Sequence, residues 1–197
     1  MRRDCIPATN MTLRIDACRG RRNYTGREMA ARVVWAAVRP AFAWSPRCCW
    51  GWRNLLLRLF GARVGGHVRI EPTVRIFAPW SLAVGDWTAI GWDTVVYNLG
   101  GIEIGARVTI SQRAHLCGGT HDYTDPAMPL RRLPIAIGDD AWICADAFVG
   151  PGVTVGARAV VGARAVAIRD VPSDAVVAGN PAVVVKQRVI GRAEGTG

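Results

Sequence analysis

From residue 64 onward, aliphatic side chains recur every six positions: Val64, Ile70 and Ile76, then Val84, Ile90 and Val96, then Ile104, Ile110 and Leu116. The step resumes at Ile137 and continues through Ile143, Val149, Val155 and Val161. Of the fifteen slots defined in this way, only Ala167 is not a larger aliphatic residue. The next residue is Gly, Ser or Cys in eleven of the fifteen, and Val, Ala or Thr recurs four places after the slot, as at Val68, Thr88, Val108, Ala141 and Ala159. A period of six fits neither a helix of 3.6 residues per turn nor a flat strand that alternates indefinitely. It fits a coil with flat sides, in which each side is a short strand with its aliphatic residue inward and a small residue beside the corner lets the backbone turn. Three sides make 18 residues, the step from Ile137 to Val155, whereas the two earlier coils take 20 and carry two extra residues on the third side. After Leu116 the next regular slot lies 21 residues on, so the third coil carries a long excursion. About five coils stacked with parallel ladders, about 4.8 Å apart, bury a narrow column of Ile, Val and Leu. The expected fold is all-β, a parallel β-helix.

Upstream the pattern changes. Residues 27–60 place Met29, Val33, Trp35 and Val38, then Trp50, Trp52, Leu55, Leu56 and Leu59, among arginines, which predicts two short amphipathic helices broken at Pro40 and Pro46. Their apolar faces suit a cover for an exposed end of the β-helix. A second reading stays open at this point: Trp35, Trp44, Trp50 and Trp52 among arginines also suit a peripheral membrane contact. Residues 1–26 are polar, Arg-rich and aperiodic and read as a disordered tail; 61–188 form the β-helix domain, and 189–197 a C-terminal tail.

Composition narrows the partners. The 25 Lys and Arg against 15 Asp and Glu give a formal charge of +10, and Lys186 is the lone lysine. That balance favours anionic partners, phosphate-bearing small molecules above all; the cations are not interleaved with aromatics in a stacking pattern, which argues against nucleic acid. Six cysteines without a CxxC pair read as free thiols. No apolar stretch follows Met1-Arg2-Arg3 as a secretory signal requires, and no run approaches about 20 apolar residues. A cytoplasmic location is expected, peripheral at the inner face of the membrane if the helices touch lipid.

The segment Ile137-Gly-Asp-Asp-Ala-Trp142-Ile-Cys-Ala-Asp-Ala-Phe-Val-Gly-Pro151-Gly-Val-Thr-Val-Gly156, with Asp170-Val-Pro172, Gly179-Asn-Pro181-Ala182 and Leu116-Cys-Gly-Gly-Thr-His121-Asp-Tyr, resembles the hexapeptide-repeat acetyltransferases. Within them it resembles the colanic-acid-biosynthesis type and its maltose, galactoside and nodulation-factor relatives. The likeness covers residues 50–188. It implies a left-handed β-helix, a homotrimer with sites between subunits, and direct transfer from acetyl-CoA as co-substrate without a metal. The chain departs from the family at Arg164-Ala165, where Gly-Ser is usual, and Arg164 is a candidate to meet a phosphate.

His121 falls in the long excursion 117–136, off the inward-facing grid. Ester formation needs a base near neutral pH to take the acceptor's hydroxyl proton, and imidazole titrates in that range. By resemblance, Asn98 holds the acceptor hydroxyl, Trp142 lines the pantetheine channel, Ala145 and Ala163 offer backbone contacts, and Arg169 and Lys186 lie toward the coenzyme's phosphates. For each a plainer reading stands beside it: a turn asparagine, a ring packed outside the coil, a solvated cation. Cys117 and Cys144 occupy the small-residue slot, so packing explains them better than a covalent nucleophile does. The expected reaction is O-acetylation of a small-molecule or lipid-linked sugar in polysaccharide or glycolipid biosynthesis. Two alternatives are a zinc enzyme of the γ-carbonic-anhydrase kind, drawing on His67, His115 and His121, and a non-catalytic β-helix scaffold.

Overall fold

The computed structural model describes residues 12–16 and 23–191. The expected disordered tail falls largely on residues 1–11 and 17–22, and the end of the C-terminal tail on 192–197; these lie outside the described residues. Among the described residues the helices α1 (Gly26–Ala43) and α2 (Trp50–Leu59) lead into the strands. The start of α1 is set by Thr25, whose hydroxyl accepts from the Glu28 N–H while the Glu28 carboxylate accepts from the Thr25 N–H, a reciprocal cap. Pro40 does not break α1 as expected. It sits in the last turn, where a missing N–H forfeits a single backbone bond, and Phe42 beyond it is fully buried with its ring 6.0 Å from that of Trp35.

The strands form three parallel sheets, the faces of a triangular prism. Strands Arg63–Val64, Leu82–Val84, Ile102–Ile104, Ile135–Ile137 and Thr154–Val155 make the first face in that order. On the second, Ile70, Ile90, Ile110, Ile143, Val161 and Val177 pair in register, each at most 3% exposed. The third runs from Arg75–Ile76 to Val166–Ala167. Every slot of the six-residue grid except the half-buried Val64 is buried. The stack extends one part-coil past the grid: Val171 bridges to Val155, and Ala175–Ala178 joins the second face. Five complete coils and a sixth partial one result.

The small residue after each slot has a different role from the one expected. Gly85, Gly105, Gly138 and Gly156 have no left-handed backbone. Instead, a Cβ at Gly85 would stand 2.6 Å from the backbone of Ala106 and Gly105 in the coil above. The turn itself is made two residues later, where His67, Trp87, Arg107, Asp140, Arg158 and Asp174 at the first corner, and Asp93, Arg113, Asp146 and Arg164 at the second, hold φ between 55° and 61°. Arginine and aspartate at these corners pair from coil to coil through two-pronged bonds: Arg107 to Asp140, Arg113 to Asp146 and Arg158 to Asp174.

Both ends of the stack need covering, because an end coil presents unpaired ladder groups. At the first coil the helices supply side-chain donors. Arg58 donates to the Val64 and Gly65 carbonyls, Asn54 to Val68, Arg53 to Ile70 and the Trp35 indole to Ile76. Arg53 is completely buried, with Nη1 donating to Ser45 and Pro46 and Nη2 to Arg47. At the far end Val183–Gln187 folds back antiparallel on Ala175–Ala178, and Arg188 pins the chain to the Asp140 and Arg158 carbonyls.

Candidate active site

The excursion after Leu116 is a folded hairpin. Gly119–His121 pairs antiparallel with Leu130–Arg132, in the register His121 to Leu130, before the chain rejoins the grid at Ile135. It leaves the prism at the corner between the third and first faces. At its foot the backbone is packed closely: a Cβ on Gly100 would stand 2.4 Å from the Leu133 carbonyl carbon.

Within the hairpin the exposed His121 ring is oriented by the backbone. Its Nδ1 lies 2.7 Å from the Met128 carbonyl oxygen. A carbonyl only accepts, so Nδ1 carries the proton and, in the neutral ring, Nε2 presents its lone pair outward. Met128 reaches this position with φ 48°, a conformation that L residues seldom adopt. The turn beneath is held by Asp122, whose carboxylate accepts from the Thr124 N–H and hydroxyl and from Arg131. Those bonds, the Thr124 hydroxyl first, hold the Asp122 carboxyl below its usual range. Sequence reasoning passed over Met128 and Asp122; Asp122-Tyr-Thr124 carries a readable turn signal, but a backbone carbonyl leaves none.

The N-terminal segments lie against this hairpin. The Arg14 N–H donates to the Pro126 carbonyl, Arg132 pairs with Glu28 at 2.9 Å and donates to the Asn23 carbonyl, and the Tyr24 ring lies beneath the guanidinium groups of both Arg32 and Arg132. Tyr97 packs under Gly119 and edge-on to Phe77, and burial pushes its hydroxyl pKa up.

The remaining expected site residues divide between two sides of the prism. Asn98 and Arg169 share the hairpin's corner, in the second and fifth coils. Asn98 is fully buried, its amide accepting from the Ala78 N–H at 2.9 Å and donating to the Ala78 carbonyl at 2.6 Å. That placement makes it a brace between coils and gives no support to a hold on the acceptor. Trp142 stands exposed on the second face with its indole N–H donating to Ser111 Oγ. Ala145 and Ala163 follow at the corner between the second and third faces, one coil apart; the Ala145 carbonyl accepts from the Arg164 N–H, while Ala163 is an exposed residue whose carbonyl accepts from no backbone donor among the described residues. Lys186 lies exposed on the folded-back strand. The second face stands opposite the hairpin's corner, so one chain does not bring Trp142 and His121 into one cleft.

The other titratable candidates are dispersed. His67 occupies the first corner of the first coil, while His115 is half-buried on the third face, edge-on to Phe148 at 5.4 Å, with its pKa lowered by burial and by Arg75. Cys117 Sγ donates to the Gly119 carbonyl, and burial raises the Cys144 thiol pKa.

No protein-family model matches the chain. It is 44% identical over 164 residues to the colanic acid biosynthesis acetyltransferase WcaF of Escherichia coli (strain K12), covering 83% of this chain and 90% of that one. Over 137 residues it is 36% identical to nodulation protein L of Rhizobium leguminosarum bv. viciae, covering 68% and 71%. A hexapeptide-repeat acetyltransferase of Vibrio cholerae O1 biovar eltor, solved in complex with acetyl-CoA, matches at a TM-score of 0.77 and 27% identity over 86% of this chain and 93% of that one. A galactoside acetyltransferase in complex with coenzyme A shares the fold, with a TM-score of 0.78 at 24% identity over 88% of each chain. The six-residue grid, the hairpin that interrupts it and this likeness to WcaF over most of both chains agree, and the chain belongs to the hexapeptide-repeat acetyltransferases of the colanic-acid-biosynthesis type, enzymes that use acetyl-CoA.

Proposed function

We propose that the enzyme transfers acetyl from acetyl-CoA to a sugar hydroxyl in polysaccharide or glycolipid biosynthesis, with His121 as general base. The observation that carries this is the 2.7 Å contact between His121 Nδ1 and the Met128 carbonyl, which leaves Nε2 free to accept a proton. Acetyl-CoA supplies an acetyl group activated as a thioester. His121 takes the acceptor's hydroxyl proton as that oxygen bonds to the acetyl carbon and the carbon–sulfur bond breaks, then returns the proton to the leaving sulfur. Trp142, Ala145, Ala163 and Lys186 would hold the co-substrate. The open Ala163 carbonyl fits a backbone contact to the pantetheine arm, and the exposed Arg164 and Arg169 fit its phosphates.

The separation of His121 from Trp142 on one prism supports a homotrimer, in which the hairpin corner of one subunit faces the second face of the next; closed threefold symmetry would repeat that pairing three times. Exposed Val33 and Val34 on α1, with Trp44 just past its end, support peripheral membrane contact, at the inner face for a cytoplasmic enzyme. None of the helices among the described residues is long and apolar enough to cross a membrane.

The test is turnover of His121→Ala with labelled acetyl-CoA and a panel of sugar acceptors. Loss of the base lowers the rate by about 10² to 10⁴, while sedimentation and coenzyme A affinity stay as in the parent. Cys117→Ala keeps most of its activity if attack is direct. Near-full turnover in His121→Ala at saturating substrates removes the proposed mechanism.

A further inference from the structure

We propose that the cleft between α2 and the first two coils is a second saccharide site, for a pyranose unit bearing a carboxylate. It lies at the helical end of the stack and at a different corner from the hairpin. Its volume is about 320 Å³, and Trp50, Asn54 and Arg58 line it from α2, opposite His67, Arg69 and Trp87 of the coils. Positions four apart share one side of a helix, so the three α2 residues line one wall. The size lies at the lower end of the roughly 300–1,000 Å³ of small-molecule sites, enough for one sugar ring.

Two buried polar atoms in that wall have no partner among the described residues, the Trp50 indole Nε1 and Asn54 Oδ1. Asn54 is 6% exposed, and its orientation is set, because its Nδ2 donates to the Val68 carbonyl at 2.8 Å. An unpaired buried donor or acceptor is costly. Both atoms lie below the surface of the wall, so contact with a ligand falls to the exposed Trp87 ring and the Arg69 guanidinium.

The mouth of the cleft departs from the rest of its corner. Higher coils place Arg107, Asp140, Arg158 and Asp174 there in paired contacts, whereas the first two place His67 and Trp87, stacked 4.0 Å apart at 16°. Trp87 remains 60% exposed. A flat ring face of this kind matches the C–H face of a pyranose. The charge is supplied by Arg69, whose guanidinium lies 4.8 Å from the Trp50 ring centre and makes no ion pair with a carboxylate among the described residues. Among the described residues no acidic side chain lines the cleft. Arg58 adds positive charge while its donors hold the Val64 and Gly65 carbonyls.

Titration of the full chain with D-glucuronate and D-glucose, followed by calorimetry and saturation-transfer NMR, tests the assignment. Glucuronate binds saturably with a Kd on the order of millimolar, and glucose about tenfold more weakly, the loss expected for a missing charge-assisted contact. The methyl glycoside of glucuronate binding equally well marks the ligand as a unit of a chain, and its exclusion marks a free uronate. Trp87→Asn, which keeps a residue tolerant of the left-handed corner, removes glucuronate binding; Arg69→Ala erases the preference over glucose. His121→Ala leaves both affinities unchanged, which separates this cleft from the acetyl-transfer site. Absence of saturable glucuronate binding, equal affinity for glucose in the parent chain, or parental binding in both cleft variants overturns the proposal.

Discussion

Where the chain turns from the first face to the second, two residues divide the work of turning. At the first corner of the five complete coils the one after the aliphatic slot is glycine because the next coil passes directly over it, and the one two places later takes the left-handed conformation, whether it is histidine, aspartate, arginine or even tryptophan. The consequence is testable at Gly85. A methyl group there meets backbone atoms 2.6 Å away, which cannot swing aside as a flexible side chain would. Gly85→Ala should therefore cost about 1–3 kcal/mol, the usual range for overpacking, read as a lower denaturant midpoint with an unchanged slope. Gly152→Ala separates the two roles, because its penalty comes from a φ of 79° with only the Leu133 side chain nearby.

Among the elements, the hairpin carrying His121 is tied to the prism at its foot and to α1 along its return strand. Arg132 is the link, bonded to Glu28 and to the Asn23 carbonyl and lying over Tyr24. The ion pair is partly exposed, each side chain about 30% accessible, so its own contribution to stability is small, about 0–1 kcal/mol. Its loss should be felt more strongly where the hairpin must hold His121 in place. Arg132→Ala is expected to lower kcat several-fold with little change in thermal midpoint, and Arg132→Lys to restore only part of it, because an ammonium cannot reproduce a guanidinium that bonds at two points and stacks on a ring. Equal losses of kcat and of folded stability would make Arg132 a purely structural residue.

For the whole molecule, the corner ladders couple stability to acid. Side-chain bonds from Arg107, Arg113 and Arg158 hold the Asp140, Asp146 and Asp174 carboxyls below their ordinary range. A carboxyl whose folded pKa is depressed contributes stability that is fully present above its unfolded value and lost as pH falls through the folded one. The thermal midpoint should thus stay level from neutral pH to about 5 and fall below about 4, the range of unperturbed aspartate. Replacing all three aspartates with asparagine, which tolerates the same corner conformation, should lower the midpoint at neutral pH and flatten the acid limb. A parental acid profile in the triple variant would mean that the ladders contribute nothing.

The β-helix was legible because its signal is collective. An inward side chain every sixth residue over fifteen slots admits no other regular structure, and the structure buries all but the edge of that column. The position of His121 was legible for a related reason, since an interruption in a regular pattern is as visible as the pattern. The capping box Thr25-x-x-Glu28 could also be read, and it explains why α1 begins before the apolar run. What the sequence could not give is the set of contacts between residues far apart in the chain. That Asn98 turns its amide inward to Ala78, that the Met128 carbonyl orients the His121 ring, and that Arg53 and Asn54 cap the ladder of the first coil all depend on side-chain direction at corners and ends, where the period no longer constrains it. The repeat determined which residues face inward, because burial of one apolar face is a sum over many positions; the tertiary structure alone decided which polar groups meet, because each such meeting rests on a single pair of atoms brought within 3 Å.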